Sequence, residues 1–200
     1  MRVPLPPFLQ RERVIVVDVE TTGFSAQQDR IIEVGLIWIE RGEIVLDMSQ
    51  LCNPGCEIPE VITNLTHITQ DDVDRAEPFS VVSDFLMDVL PSPSVVIAYN
   101  AKFDFGFLRE ELSRDGKKAQ IGNRIDPLPW VRTEDRGKKC GLSETASRRG
   151  VPVKNAHRAL ADCYMTLGVL STLRMPDTLE DALKHQKRIG NGFTARSWQG

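Results

Sequence analysis

Residues 13–51 contain three apolar, β-branched runs, and the last two are separated by a single dipeptide. Arg13–Asp18 reads RVIVVD, the composition of a buried strand. Arg30–Glu40 (RIIEVGLIWIE) and Glu43–Leu51 (EIVLDMSQL) flank Arg41-Gly42, which suits a tight turn, so the pair predicts a hairpin. The three segments predict an antiparallel meander. A sheet that begins this way restricts the folds open to the remaining three quarters of the chain.

From residue 53 onward the chain alternates between helical and extended patterns. Residues 53–78 are rich in Pro, Asn, Thr and Asp and predict loops with short helical turns. Phe79, Val82, Phe85, Leu86, Val89 and Leu90 recur at helical spacing until Pro91. Ser94–Tyr99 (SVVIAY) predicts a further strand, and Asn100 is a suitable N-cap for a helix through about Ser113. Residues 114–139 are basic, with a short apolar segment near Ile125. Gly141–Gly150 predicts a short helix and Ala156–Leu173 a long one. A meander followed by alternating helices and strands implies an α/β fold with a mixed central sheet flanked by helices. The expected organisation is one domain over residues 1–175. Residues 176–200 are expected to form a C-terminal tail with one amphipathic turn or short helix, weakly structured from Gly190 onward.

The charge is uneven. Residues 1–100 hold 6 Lys/Arg against 16 Asp/Glu and the remainder 19 against 12, so a −10 half adjoins a +7 half in a chain of net charge −3. An acidic region beside a basic one suits an enzyme that holds cations and attracts a polyanion. The longest apolar stretch, Ile31–Ile39, contains Glu33 and is far short of the ~20 residues that span a bilayer. With no recognisable signal peptide, the expectation is a cytoplasmic protein without a membrane partner. Cys52, Cys56, Cys140 and Cys163 lack the second close pair that a zinc site needs and are expected to be reduced thiols.

Three short motifs carry chemistry. Asp18 and Glu20 lie at the end of the first strand, in VVDVETTGF, and residues i and i+2 of a strand share a face. Two carboxylates that close repel unless a cation sits between them, and hard oxygen donors suit Mg²⁺ or Mn²⁺. The turn Thr21-Thr22-Gly23 can offer N–H donors to a phosphate or a terminal hydroxyl. Asp104, in AYNAKFDFGFL, falls in the first turn of the helix after strand 94–99. If that strand lies beside strand 13–18, Asp104 emerges near Asp18 and Glu20. His157 and Asp162, in HRALADC, are five residues apart, about 140° around a helix. To serve one site, His157 must lie at or before the helix start.

DVETTGF, NAKFD and HRALAD, in this order, resemble the DEDDh group of DnaQ-like exonucleases, the group that includes the proofreading epsilon subunit of bacterial DNA polymerase III. The similarity runs from about Val14 to Leu173 and takes in the loop LTHITQDDV. It implies a ribonuclease H-like fold and a 3′→5′ exonuclease releasing nucleoside 5′-monophosphates with two divalent cations, Mg²⁺ or Mn²⁺. Asp18, Glu20 and Asp162 would bind the first cation, with Asp18 bridging to a second that Asp104 serves through water. His157 would be the general base. Thr21, Thr22, Gly23, Phe24, Thr66, His67, Asn100 and Phe103 would contact the terminal nucleotide. The implied partners are a nucleic acid with a free 3′ end and a DNA polymerase subunit. Single-stranded DNA is the preferred substrate; an exoribonuclease that trims RNA ends and a polymerase-associated binding subunit are the alternatives. Tyr99 stands where many relatives have His, and His67 where Gly is usual. Pro127 and Pro129 interrupt a segment that relatives often continue as a helix.

Overall fold

The computed structural model describes residues 4–118 and 120–190. Its centre is a five-stranded sheet. Strands β1 (Arg13–Thr21), β2 (Ile31–Glu40) and β3 (Glu43–Leu51) form the antiparallel meander; β4 (Val95–Ile97) and β5 (Asn123–Ile125) extend it parallel to β1, in the order β3-β2-β1-β4-β5. Strand alternation gives β1 two apolar faces. Ile15, Val17 and Val19 join a core that includes residues of α3 (Ser80–Val89) and α4 (Lys102–Arg114). Val14 and Val16 face the opposite core, with α5 (Leu128–Glu134), α6 (Leu142–Arg148), α7 (Ala159–Thr172) and α8 (Leu179–Ile189). Two further helices, α1 (Glu60–Thr66) and α2 (Gln70–Asp74), occupy the region read as loops with helical turns.

Gly35 determines how closely α7 approaches the sheet. It pairs with Asp18 in the β1–β2 register. A Cβ on Gly35 would sit 2.2 Å from the carbonyl carbon of Ala159 and 2.4 Å from the amide nitrogen of Leu160. The first turn of α7 therefore lies directly on β2, one strand away from Asp18.

The structure corrects several local expectations. Asn100 does not cap α4. Its backbone is left-handed (φ 62°), and the helix starts after Ala101. The capping acceptor is Asp126, whose carboxylate accepts from the N–H groups of Asn100, Ala101 and Leu128 at 3.0–3.1 Å. The segment after Asp126 is helical despite its prolines. Pro127 and Pro129 fall at the start of α5, where a missing N–H breaks no helical hydrogen bond. Beyond Pro176 the helical segment expected in the tail is the eleven-residue α8. Gln186 of α8 accepts from Asp126 N–H and donates to the carbonyl of Arg124, which ties α8 to the end of β5. The weak structure expected from Gly190 onward falls on residues 191–200, outside the described ones.

Gly35→Ala is expected to lose roughly 3 kcal/mol, the upper end of overpacking costs, because the collision is with main chain that no rotamer change relieves. Denaturant unfolding measures this, and an unchanged midpoint would show that α7 can move away freely.

Candidate active site

The three motifs meet on the α7 face of the sheet. Asp18 and Glu20 continue the Val14–Val16 alternation of β1. Asp104 comes from the first turn of α4, and its Oδ1 accepts from Val19 N–H at 3.2 Å, which links α4 to β1. Asp162 comes from the first turn of α7. His157 lies before that helix, in a loop where both Asn155 and His157 have left-handed backbone (φ 49° and 63°). Its N–H donates to Asp162 Oδ1 at 3.2 Å. Ligand atoms of Glu20, His157 and Asp162 all lie within 4.8 Å of one another.

One cleft is lined by Asp18, Glu20, Asp104, His157 and Asp162, and also by Thr21, Gly23, Phe24, Thr66 and Phe103. Phe24 is 84% exposed at its rim. Val19, Ile62, Leu65 and Tyr99 complete the lining, and sequence reasoning did not select the first three as site residues. Three expected contact residues are not among the lining. Thr22 is buried and closes the β1–β2 connection: its N–H donates to the Arg30 carbonyl, and its hydroxyl accepts from Arg30 N–H. His67 terminates α1 in a left-handed conformation with its side chain exposed. Asn100 lines a different pocket, on the other side of the α4 start.

The acids are held at high electrostatic cost. Burial raises the carboxyl of Asp18 well above its ordinary value, and Asp104, Asp162, Glu20 and Glu33 raise it further. Burial, with Asp162 and Glu33 next, pushes Glu20 to about 8. Burial also pushes Asp104 to about 8 and Asp162 to about 7. Among the described residues none of these four acids forms an ion pair. Clustered oxygen donors without an ion-pair partner fit hard divalent cations. Asp18, Glu20, Asp104 and Asp162 are the residues that would hold them.

A fifth acid nearby is treated differently. Glu33, opposite Glu20 in the register, is 1% exposed. Arg158 Nη2 donates to it at 2.8 Å, Ser49 Oγ at 2.6 Å and Ala159 N–H at 2.9 Å. Burial pushes its carboxyl up, but these hydrogen bonds outweigh that and the net shift is downward. Glu33 thus anchors the N-terminus of α7 and the residue next to His157. The signal in the sequence was a lone acid within the apolar run RIIEVGLIWIE.

The acidic cluster gathers at the carboxyl ends of β1 and β4, on a meander-first mixed sheet of the ribonuclease H-like type. The sequence matches the RNase_T family, described as Exonuclease, over residues 15–170, and the chain belongs to that family. It is 36% identical over 160 residues to the PolC-type DNA polymerase III of Clostridium perfringens, covering 80% of this chain. It is 37% identical over 165 residues to that of Staphylococcus aureus, covering 82% of this chain. The matched stretch is only 11% of either polymerase. Among solved structures, E. coli exonuclease I in complex with a dT13 oligonucleotide superposes with a TM-score of 0.71 at 18% identity, over 80% of this chain and 40% of that one. Exonuclease X in complex with 5′ overhanging duplex DNA superposes with a TM-score of 0.61 at 22% identity, over 92% and 96%. These two likenesses concern the fold. No helix among the described residues is long and apolar enough to cross a membrane.

The raised carboxyls set a pH dependence. Glu20, Asp104 and Asp162 titrate near 7–8 when folded, against ordinary values of 3.8 and 4.5. Their stabilising protonated form is fully present below about pH 4 and is lost as pH rises through 7–8. Chelated protein is therefore expected to melt at a lower temperature at pH 8 than at pH 5, and Mn²⁺ to raise the melting temperature most at pH 8. A chelated protein most stable at pH 8 would contradict this.

Proposed function

We propose that this chain is a 3′→5′ exonuclease that releases nucleoside 5′-monophosphates from single-stranded DNA ends, with two divalent cations, in proofreading or repair. The observation that carries the reading is the convergence of Asp18, Glu20, Asp104, Asp162 and His157 in one cleft, the four acids forming no ion pair among the described residues. The DNA preference is supported by the likeness to one segment of PolC-type DNA polymerases, which also supports work beside a DNA polymerase.

Bound divalent cations would supply Lewis acidity, acidifying the attacking water and stabilising the leaving 3′ oxygen. The chain's own groups do the rest. His157, half-buried in its loop and within reach of Glu20 and Asp162, takes the proton of the attacking water as general base. Phe24 and Leu65 give the cleft apolar edges against which a terminal base can stack, with Phe103 inside. The Thr21 hydroxyl donates to the Gly23 carbonyl at 2.6 Å and so holds the turn below the stacking face. The Glu33–Arg158 pair keeps the His157 loop and the Asp162 helix in register with β1.

Matched 5′-labelled DNA and RNA oligonucleotides, incubated with Mg²⁺ or Mn²⁺ and with a chelator control, test the reading. The expected result is a ladder of labelled DNA shortened from its 3′ end, slower loss of RNA and no reaction with chelator. Early release of the label as a mononucleotide would overturn the direction, and faster loss of RNA would overturn the substrate. Asp18→Ala is expected to abolish degradation with an unchanged circular dichroism spectrum. His157→Ala should lower kcat by about 10²–10⁴ with little change in cation affinity. A large loss of cation affinity would instead make His157 a ligand.

A further inference from the structure

A second cleft, about 320 Å³, lies on the opposite side of the α4 start from the acidic one. The first turn of α4 is the ridge between them. Phe103 and Asp104 face the acidic cleft, whereas Asn100 and Lys102 line the second. With a rise of about 1.5 Å per helical residue, Lys102 and Asp104 are less than one turn apart. The other wall comes from α5 and α8, which contribute Arg132 and Lys187.

The charge of this cleft is uneven in an informative way. Lys102, Arg132 and Lys187 are exposed and form no ion pair among the described residues. The acid in the wall, Asp126, is buried, and its oxygens accept from three backbone N–H groups. Arg132 is close enough to Asp126 to favour its charged form, yet three cations against one buried acid leave the cleft positive on balance. By contrast, Lys117 pairs with Asp84 and Asp115, and Arg148 and Arg149 pair with Asp135. The Gln186 amide bridges Asp126 N–H and the Arg124 carbonyl, so the helix that bears Lys187 is fixed to the sheet.

We infer that the cleft between the α4 start, α5 and α8 is a binding site for the phosphodiester backbone of a single strand whose end occupies the acidic cleft. This rests on the nuclease reading and adds to it where the strand runs. Three cations without sequence-reading geometry neutralise phosphates and leave the bases unread. Lys102 lies less than one helical turn from Asp104, which makes the contact cumulative with capture of the end.

The test compares the intact protein with an Arg132→Ala/Lys187→Ala variant. Fluorescence anisotropy with a labelled single-stranded DNA 12-mer, its 3′-terminal linkage a cleavage-resistant phosphorothioate, is read with Mg²⁺ present over a range of salt, so that the acidic cleft is charge-compensated and catalysis is suppressed. Thymidine 5′-monophosphate is titrated alongside as a ligand for the acidic cleft alone. The expected result is an affinity for the 12-mer about tenfold weaker in the variant. The slope of log affinity against log salt should fall by about 0.7 for each phosphate that is no longer neutralised. Affinity for the mononucleotide should match that of the parent, which also shows that the variant is folded. Equal 12-mer affinity and slope in both proteins would overturn the inference, including the case in which the cleft receives an acidic peptide instead. Equal loss for 12-mer and mononucleotide would overturn it too, because the defect would then lie in the fold or the acidic cleft. A parent that binds the 12-mer but degrades no nucleic acid would sink the nuclease reading while leaving this site standing.

Discussion

Four carboxylates are forced together in a place where water screens them poorly, and much of the architecture is the means of holding them there. Asp18 and Glu20 cannot diverge, because strand alternation sends both to one face. Asp104 is tied by its hydrogen bond to Val19, the residue between them. Asp162 is brought in by a helix whose first turn rests on β2. The acids come from three separate elements, so the repulsion among them is opposed by the packing of the entire sheet and both helical layers.

The clamp at Glu33 shows how the chain separates structural acids from the rest. Glu33 and Glu20 are partners in the β1–β2 register, yet their carboxyls shift in opposite directions. The difference is donors. Glu33 receives Arg158, Ser49 and a helix N-terminal amide, whereas burial dominates at Glu20. Removing Arg158, itself partly exposed, would leave the buried Glu33 carboxylate short of its main donor, so the clamp resists loosening.

The meander and the acids were legible in the sequence because their signals are local. Branched apolar runs identify β1 to β3, and the i, i+2 spacing places Asp18 with Glu20. The five-residue spacing of His157 and Asp162 required the histidine to precede the helix, and α7 does begin at Ala159. What escaped was decided over long distances. Asn100 is a good capping residue by type, but Asp126, 26 positions later, takes the role. Arg158 and Glu33 are 125 residues apart, and nothing in either neighbourhood announces the other. Prolines 127 and 129 looked like helix breakers, since their tolerance depends on where the first turn starts. Strand β5 has only three residues, too few for periodicity to declare it.

Gly35 brings no donor, no charge and no bulk to the acidic cleft, yet the separation between β1 and the helix that bears Asp162 depends on it. In a strand whose neighbouring positions are filled by Val34 and Leu36, the missing side chain acts as a spacer set to zero thickness. Part of the instruction for assembling the site is thus written as absent volume. A search for chemically able residues passes over such a position, because what it specifies is a distance and not a reaction.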